Sequence, residues 1–515
     1  MRNKRSVILI QPQMGLSGEF SRHLPLSLLY IASALKKLDI EVKILDTRVI
    51  EADWRQKLQS LIADCQPLWV GLTVMAGFPT AHALEISRFI KTLSEVPVVW
   101  GGAMPTVDPA SCLNETSIDY VIAGSGISSV RLLTQAIMAG RTGNSADLEQ
   151  IPGLGFRFAG ARHFNPRFHG FEPVGYMDLP YEVIEDYSVY GQIGSNDRIF
   201  PIYSAYGCPY RCAFCISPAL YREFTPKWVP VAAAEAVDHI AFLQKEYGAT
   251  TIYFYDDDSF VNLDHIRKIV ELLKCRNIRV KLSFRGARVD EIMRMDDSFL
   301  ELLSETGTEM LHIGVESGSQ RVLDLFQKGI RVEDIIEINR KLARHPKLIA
   351  AYNWIVGTPS ETVEEMRQTT RLLQQLIREN PRCFIFQPNI FRVVPGSVLG
   401  EKAIEMGYRP PASLDEWINS EIEQEVAAPW LSEEMKNTIR MLQVTSYFVD
   451  NKAALLLQSG SLKDALIRCA AKLYGPLARF RFKSGFSACL IEGDLFFLAQ
   501  RSEERRVGKE CRSRW

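Results

Sequence analysis

Cys208-Pro209-Tyr210-Arg211-Cys212-Ala213-Phe214-Cys215 puts three thiols in one short loop after the apolar run Ile199 to Ser204. Thiolates at this spacing can converge on one soft metal centre. Structural zinc wants a fourth ligand, usually from a second close pair of cysteines or histidines, and neither Cys275 nor Cys383 belongs to such a pair. A catalytic disulfide uses CxxC alone and leaves Cys208 surplus. Three thiolates on a four-iron cluster leave one iron without a protein ligand, open to an exogenous chelator.

Around this loop the sequence alternates between strand and helix signals. Apolar runs at Ile199–Ser204, Thr251–Tyr255, Val280–Phe284, Met310–Val315, Ile349–Ile355 and Cys383–Arg392 predict six strands. Between the last two, Val363, Met366, Thr370, Leu373 and Ile377 repeat at helical spacing, with Ser360 as the expected N-cap and Glu361, Glu364 and Glu365 at the positive end of the dipole. Six strand–helix units favour a partial (β/α)6 barrel over a second open sheet across 199–405, a choice that the pattern by itself leaves open. Upstream, strands at Val7–Gln11, Val42–Leu45, Trp69–Val74, Val98–Trp100 and Tyr120–Ala123 alternate with helical stretches such as Leu26–Leu38 and Ala81–Leu93. Runs apolar on both faces predict a doubly wound, parallel, Rossmann-like α/β domain over 1–140, with ligands beyond the carboxyl ends of its strands. Residues 141–198 lack a period and read as an inter-domain connection. From 406 to 500 the chain reads as mainly helical, with Met435, Ile439 and Leu442 on one face.

The last fifteen residues, Arg501 to Trp515, are basic and aperiodic. They resemble the translation of a sequencing-adapter oligonucleotide joined in frame, and stand apart as a non-native tail. Without them 54 Lys/Arg and 58 Asp/Glu remain, a net charge of −4, which points away from a polyanion partner. The full 515 residues, 47% hydrophobic and 23% charged, suit a globular chain of about three domains. With no apolar run long enough for a membrane span or a signal peptide, the expected location is the cytoplasm.

CxxxCxxC with an aromatic before the last cysteine, after the first strand of a barrel, resembles the radical S-adenosylmethionine (AdoMet) family. The resemblance implies that Cys208, Cys212 and Cys215 hold a [4Fe-4S] cluster whose open iron is chelated by the methionyl amine and carboxylate of AdoMet. An electron from the cluster then cleaves the sulfonium and yields a 5′-deoxyadenosyl radical. Phe214 would pack near the adenine. Further segments match: Asp256-Asp257-Asp258 after the second strand, where the family places polar ligands for the AdoMet amine, and Arg285-Gly286-Ala287-Arg288 after the third, whose guanidinium groups, Arg288 foremost, could clamp the cofactor carboxylate or the substrate. Glu316 and Ser317 of Ile313-Gly314-Val315-Glu316-Ser317-Gly318-Ser319 would serve the ribose or methionyl end. Gly357 of Val356-Gly357-Thr358-Pro359 would lie against the adenine, and Pro395-Gly396-Ser397 matches a closing turn.

An α/β domain ahead of such a barrel resembles the cobalamin (B12)-binding branch of this family. Thr73 ending the third strand, Gly101-Gly102 after the fourth, and Gly124 and Gly126 after the fifth match the branch's cobalamin contacts, since a flat corrin needs close backbone approach. One departure stands out: the branch commonly reads Gly-Glu-Gly-Glu where this chain has Gly124-Ser125-Gly126-Ile127. DxHxxG, the axial-histidine segment of other cobalamin proteins, is absent. A dinucleotide site would need GxGxxG after the first strand, and a receiver domain an aspartate where Thr73 and Val74 stand.

The resemblance implies a cobalamin-dependent methyltransferase acting on an unactivated carbon of a small-molecule or natural-product substrate. An external donor such as flavodoxin or ferredoxin supplies electrons, and no nucleic acid or membrane takes part. The alternatives are a cyclase or rearrangement enzyme of the same branch, and, from another class, a non-catalytic cobalamin or iron–sulfur sensor or carrier. No catalytic residue beyond the cluster and AdoMet is indicated.

Overall fold

Strand β1, Ser6–Gln11, carries Val7 and Leu9 into one hydrophobic core and Ile8 and Ile10 into another, all at most 2% exposed. A strand buried on both faces needs helices on both sides of its sheet. The computed structural model shows this arrangement; it describes residues 5–14, 21–50, 53–76, 78–192, 197–394, 396–422, 428–452 and 462–487. The tail from Arg501 and Pro395 of the closing turn lie outside the described residues.

The chain divides into two units, one of Met1–Pro201, Glu223–Thr225 and Arg409–Ala427, the other of Ile202–Arg222, Pro226–Tyr408 and Ala428–Trp515. In the first, β1 is followed by β2 (Glu41–Asp46), β3 (Val70–Thr73), β4 (Val98–Gly101), β5 (Tyr120–Ile122), β6 (Leu154–Phe158) and β7 (Ala161–Phe164), in sheet order β2-β1-β3-β4-β5-β6-β7. The first five run parallel, and the order reverses between β1 and β3, the switch point where such sheets bind ligands. Helices Leu26–Lys36 and Ile127–Met138 cover one face; Trp54–Cys65 and Phe78–Leu93 cover the other.

Two features differ from the sequence expectation. Part of the segment read as a connection adds the antiparallel hairpin β6–β7 to the sheet edge. Its turn residues, Ala159 and Gly160, both have positive φ (48° and 81°), as a type I′ turn requires. Alanine in place of the usual asparagine hides that turn from a sequence reading. The helix Leu414–Ile422, expected to belong with the C-terminal region, instead packs Leu414 and Trp417 into the core of the first unit, and the Trp417 indole donates to Asp108 at 3.0 Å.

The second sheet contains β8 (Ile199–Ile202), β9 (Thr251–Phe254), β10 (Lys281–Arg288), β11 (Thr308–Glu316), β12 (Ile349–Val356) and β13 (Phe384–Ile385), paired in sequence order, with β14 (Asn389–Ile390) on β12. Pairings from β9 onward are parallel. Strands in sequential order, each returned by a helix, curl into the expected partial barrel. The predicted last strand, Cys383–Arg392, is broken into β13 and β14. C-terminal to the barrel, Met435, Ile439 and Leu442 of helix Glu433–Thr445 share one buried face as expected.

The helix Val363–Glu379 is capped two residues later than the sequence suggested. Thr362 accepts the Glu365 amide, and the Glu365 carboxylate accepts the Thr362 amide at 2.9 Å, a capping box. Ser360 instead sits in the turn at φ 67°, and its hydroxyl finds no partner among the described residues.

Candidate functional site

In the second unit the cysteine loop leaves the short strand Ala205–Gly207, which follows β8 and pairs antiparallel with Trp228–Pro230. Ala213 pins the loop in place: its amide donates to the Phe326 carbonyl at 2.8 Å and its carbonyl accepts the Leu399 amide at 3.0 Å. Cys208, Cys212 and Cys215 are half-buried and unbridged. Among the described residues no three His, Cys, Asp or Glu side chains share a single metal-ion position. A centre that offers each thiolate its own iron does not require one. Burial pushes the Cys208 thiol up to about 12. Burial also raises Cys212, opposed by the charges of Lys328 and Arg288. Binding a metal here therefore displaces protons.

The sulfurs already receive hydrogen bonds. The Arg288 guanidinium donates to Cys212 Sγ at 3.3 Å, and the Ser217 amide donates to Cys215 Sγ at 3.5 Å. Arg288 is buried, stacked 3.8 Å over the Tyr210 ring, and bonded to Asp290 and to the Lys328 carbonyl. Tyr210 in turn donates to Glu291 at 2.6 Å. Burial, then the adjacent Glu291 charge, pushes Asp258 well above the carboxylate range, and the two carboxyls share a hydrogen bond. Two buried acids in contact hold a proton between them. None of Tyr210, Glu291 and Lys328 was singled out from sequence: Glu291 and Lys328 reach the loop from elsewhere in the chain, and Tyr210, within the loop, takes its role only from the partners they supply.

The three aspartates after β9 do different work. Asp256, fully buried, accepts the Ser204 and Ala205 amides at 2.7 and 3.1 Å and the Ser204 hydroxyl at 2.6 Å, tying the end of β9 to the end of β8. Asp257 is exposed and accepts the Tyr221 hydroxyl at 2.8 Å. Of the trio, then, Asp256 is internally saturated and Asp258 is enclosed with Glu291, which leaves Asp257 facing outward.

At the end of β11, Glu316 has φ 58° and forms a buried ion pair with Lys328, whose ammonium also donates to the Gly314 carbonyl at 2.8 Å. A Cβ on Gly314 would lie 2.2 Å from the Glu316 carboxylate, so glycine is what makes room for the pair. Ser317 is fully buried and bonded to Thr369 at 3.1 Å and to the Ser319 amide, so its hydroxyl serves the fold rather than a ligand face. Gly357, at φ 77°, has its amide and that of Thr358 held by Glu361, while its carbonyl accepts the Trp430 indole at 2.8 Å. Burial raises Glu361 to about 7. Phe214 packs edge-on against Phe326, ring centres 5.1 Å apart, in a cluster bordered by Trp430.

In the first unit, Thr73, Gly101, Gly102, Gly124 and Gly126 all lie at the carboxyl ends of adjacent strands. A Cβ on Gly101 would meet open space, whereas Gly102 (φ 102°) packs against Val74 and Thr73. The glycines thus combine an open backbone face with a tight turn, as a flat ligand requires. Beside Gly124 and Gly126, Glu172 from a distant segment meets the start of the next helix. It accepts the Ser128 amide at 3.0 Å and the Ser125 hydroxyl, capping helix Ile127–Met138, whose own N-cap, Gly126, has no side chain.

Comparison with known proteins agrees with both halves. The family model of the Radical SAM superfamily matches residues 202–373, and that of the B12 binding domain matches residues 20–133. The chain thus matches a B12 binding domain followed by a Radical SAM domain. An uncharacterized methyltransferase of Pyrococcus horikoshii is 26% identical to this radical SAM protein over 382 residues, covering 74% of this chain and 78% of its own. Cytidylyl-2-hydroxyethylphosphonate methyltransferase of Streptomyces wedmorensis is 25% identical over 472 residues, 80% and 84% of the two chains. Among solved structures, the radical AdoMet methyltransferase TsrM of Kitasatospora setae, determined with cobalamin and a [4Fe-4S] cluster, superposes with a TM-score of 0.64 over 81% of this chain and 85% of its own, at 20% identity. That last likeness is one of fold.

Proposed function

We propose that this radical SAM protein is a cobalamin-dependent methyltransferase acting on an unactivated carbon of a small organic substrate. The observation that carries the reading is the loop of three unbridged cysteines, each with its own surroundings, at the carboxyl end of the first barrel strand. When bound, the [4Fe-4S] cluster and AdoMet supply a 5′-deoxyadenosyl radical, and cobalamin supplies a transferable methyl group.

The residues divide the remaining work. Cys208, Cys212 and Cys215 hold the cluster, and Arg288 and Ser217 tune it by donating to its sulfur ligands. Asp257, exposed and with acceptor capacity beyond the one hydrogen bond it takes from Tyr221, is the carboxylate that would face the AdoMet amine, while Asp256 and the Asp258–Glu291 pair keep the surrounding loop rigid. The Glu316–Lys328 pair and the Glu361-held turn at Gly357 shape the wall for the nucleoside, with Phe214 beside it. Thr73, Gly101, Gly102, Gly124 and Gly126 line the corrin crevice, with Glu172 completing its edge. The reading includes a low-potential donor such as flavodoxin or ferredoxin, a small-molecule substrate rather than nucleic acid, and a cytoplasmic setting, which the unbridged cysteines support. No helix among the described residues is long and apolar enough to cross a membrane.

Anaerobic reconstitution tests the reading. Wild-type protein should bind iron and sulfide in equal amounts and release 5′-deoxyadenosine from AdoMet with dithionite, and Cys212→Ala should lose both. A substrate gaining the mass of one methylene unit supports methyl transfer. An unchanged or oxidised skeleton indicates a cyclase. Intact cluster without AdoMet cleavage indicates a sensor or carrier.

A further inference from the structure

The two arginines of Arg285-Gly286-Ala287-Arg288 meet different chemistry. Strands β10 and β11 are in register at Phe284 with Leu311 and again at Ala287 with Ile313, so β10 uses three residues where β11 uses two. The extra residue is a β-bulge at Arg285–Gly286, the kind of irregularity that re-aims side chains beside a site. Beyond it, Arg288 turns to Cys212 and is buried. Arg285 remains exposed, with no hydrogen bond or ion pair among the described residues.

Alternation along the strands identifies the face on which it sits. Ile252 and Phe254 of β9 and Leu282 and Phe284 of β10 share one buried face of the sheet, with Phe254 and Phe284 stacked at 4.5 Å. The opposite, inner face carries Tyr253 and Tyr255 of the β9 line and Ser283 of β10. These tyrosines form a continuous wall with Tyr203 and Tyr206: ring centres lie 5.4 Å apart for Tyr253–Tyr255, 6.4 Å for Tyr203–Tyr255 and 5.2 Å for Tyr203–Tyr206. The Arg285 charge acts on both Tyr203 and Tyr253. The nearby carboxylate, Asp257, is already engaged by Tyr221.

We propose that Arg285 and this tyrosine wall form an anion subsite inside the barrel that holds a carboxylate or phosphoryl group of the substrate. A guanidinium without a carboxylate partner presents a planar fork of donors that matches either group, and its aromatic neighbours supply flat apolar surface for the body attached to it. The cofactor's carboxylate is the other possible source of such an anion. Arg288 already bonds the cysteine loop at Cys212, and Arg285, on the other side of the bulge, is left for the substrate. The inference rests on the reading of the barrel as the catalytic unit and adds the substrate class, an organic acid or phosphoryl compound.

The test uses reconstituted protein saturated with AdoMet at low ionic strength, titrated calorimetrically with inorganic phosphate and with acetate. Wild type should bind at least one of them saturably. Arg285→Gln should weaken that binding by roughly tenfold, the loss of a charge-assisted contact, and Arg285→Lys should retain most of it. AdoMet affinity, measured by equilibrium dialysis, should be the same in all three. Absence of saturable binding in wild type, or equal binding by Arg285→Gln with an unchanged Tm, overturns the subsite. Loss of AdoMet affinity in Arg285→Gln overturns the assignment to substrate and gives the arginine to the cofactor. Wild type that binds phosphate through Arg285 yet forms no 5′-deoxyadenosine leaves the subsite standing and removes the proposed reaction instead.

Discussion

Replacing Asp256 with alanine removes the acceptor of three buried donors, the Ser204 and Ala205 amides and the Ser204 hydroxyl. The hydroxyl can rotate to another acceptor, but the two amides cannot, and each buried orphan costs about 1–3 kcal/mol. Asparagine keeps an acceptor for both amides and offers its NH2 to the Ser204 oxygen. Asp256→Ala should therefore be less stable than Asp256→Asn by about 2–6 kcal/mol, roughly 4–24 °C in Tm for a unit of this size. The pH dependence adds a second check. Burial raises Asp256 to about 6, above its unfolded value, so the group's stabilising contribution is complete below about pH 4 and lost as pH rises through 6. Between pH 5.0 and 7.5 wild type should lose about 1.4 kcal/mol that Asp256→Asn does not lose. The assay is thermal unfolding at the two pH values, with AdoMet binding measured by equilibrium dialysis on the same samples. If Asp256→Ala unfolds with wild type, or if Asp256→Asn keeps its Tm and pH profile but no longer binds AdoMet, the structural assignment fails and Asp256 contacts the cofactor.

Gly314→Ala drives a methyl group into the Glu316–Lys328 pair; separating buried partners costs about 3–5 kcal/mol, read as a large fall in Tm and loss of iron on reconstitution. Thr362→Ala should lose about 1 kcal/mol, whereas Ser360→Ala, whose hydroxyl has no partner, should be neutral within error in urea unfolding; the reverse order would return the cap to Ser360. Glu172→Ala removes the cap of helix Ile127–Met138 at a cost of about 1–2 kcal/mol, visible as faster amide exchange at Ser128 and weaker cobalamin retention; unchanged exchange would mean that the helix terminus is held by other means.

Much of this protein can be read along the chain because the relevant signals are local. Three cysteines spaced within one loop, runs apolar on both faces, and glycines at strand ends express covalent spacing, two-sided burial and backbone freedom, and each survives without knowledge of its neighbours. The hairpin at 154–164 was missed because its turn uses Ala159, where positive φ comes from pairing with the sheet rather than from residue type. The helix cap was placed at Ser360 because serine there looks suitable until the turn takes φ 67°.

Only the fold decided which of three consecutive aspartates faces outward: side-chain direction at the end of β9 depends on what β8 presents beside it, here two amides and a hydroxyl that claim Asp256. It also decided the split between Arg285 and Arg288, since a one-residue bulge against β11 turns one towards Cys212 and leaves the other among tyrosines. Glu172 and Glu291 reach Ser128 and Tyr210, and the Lys328 carbonyl reaches Arg288, across tens of residues, and no local period records such a partnership. Spacing within the chain specifies which chemistry the loop can hold, but charge pairing and burial depend on distances in space, and those exist only once the strands have closed on one another.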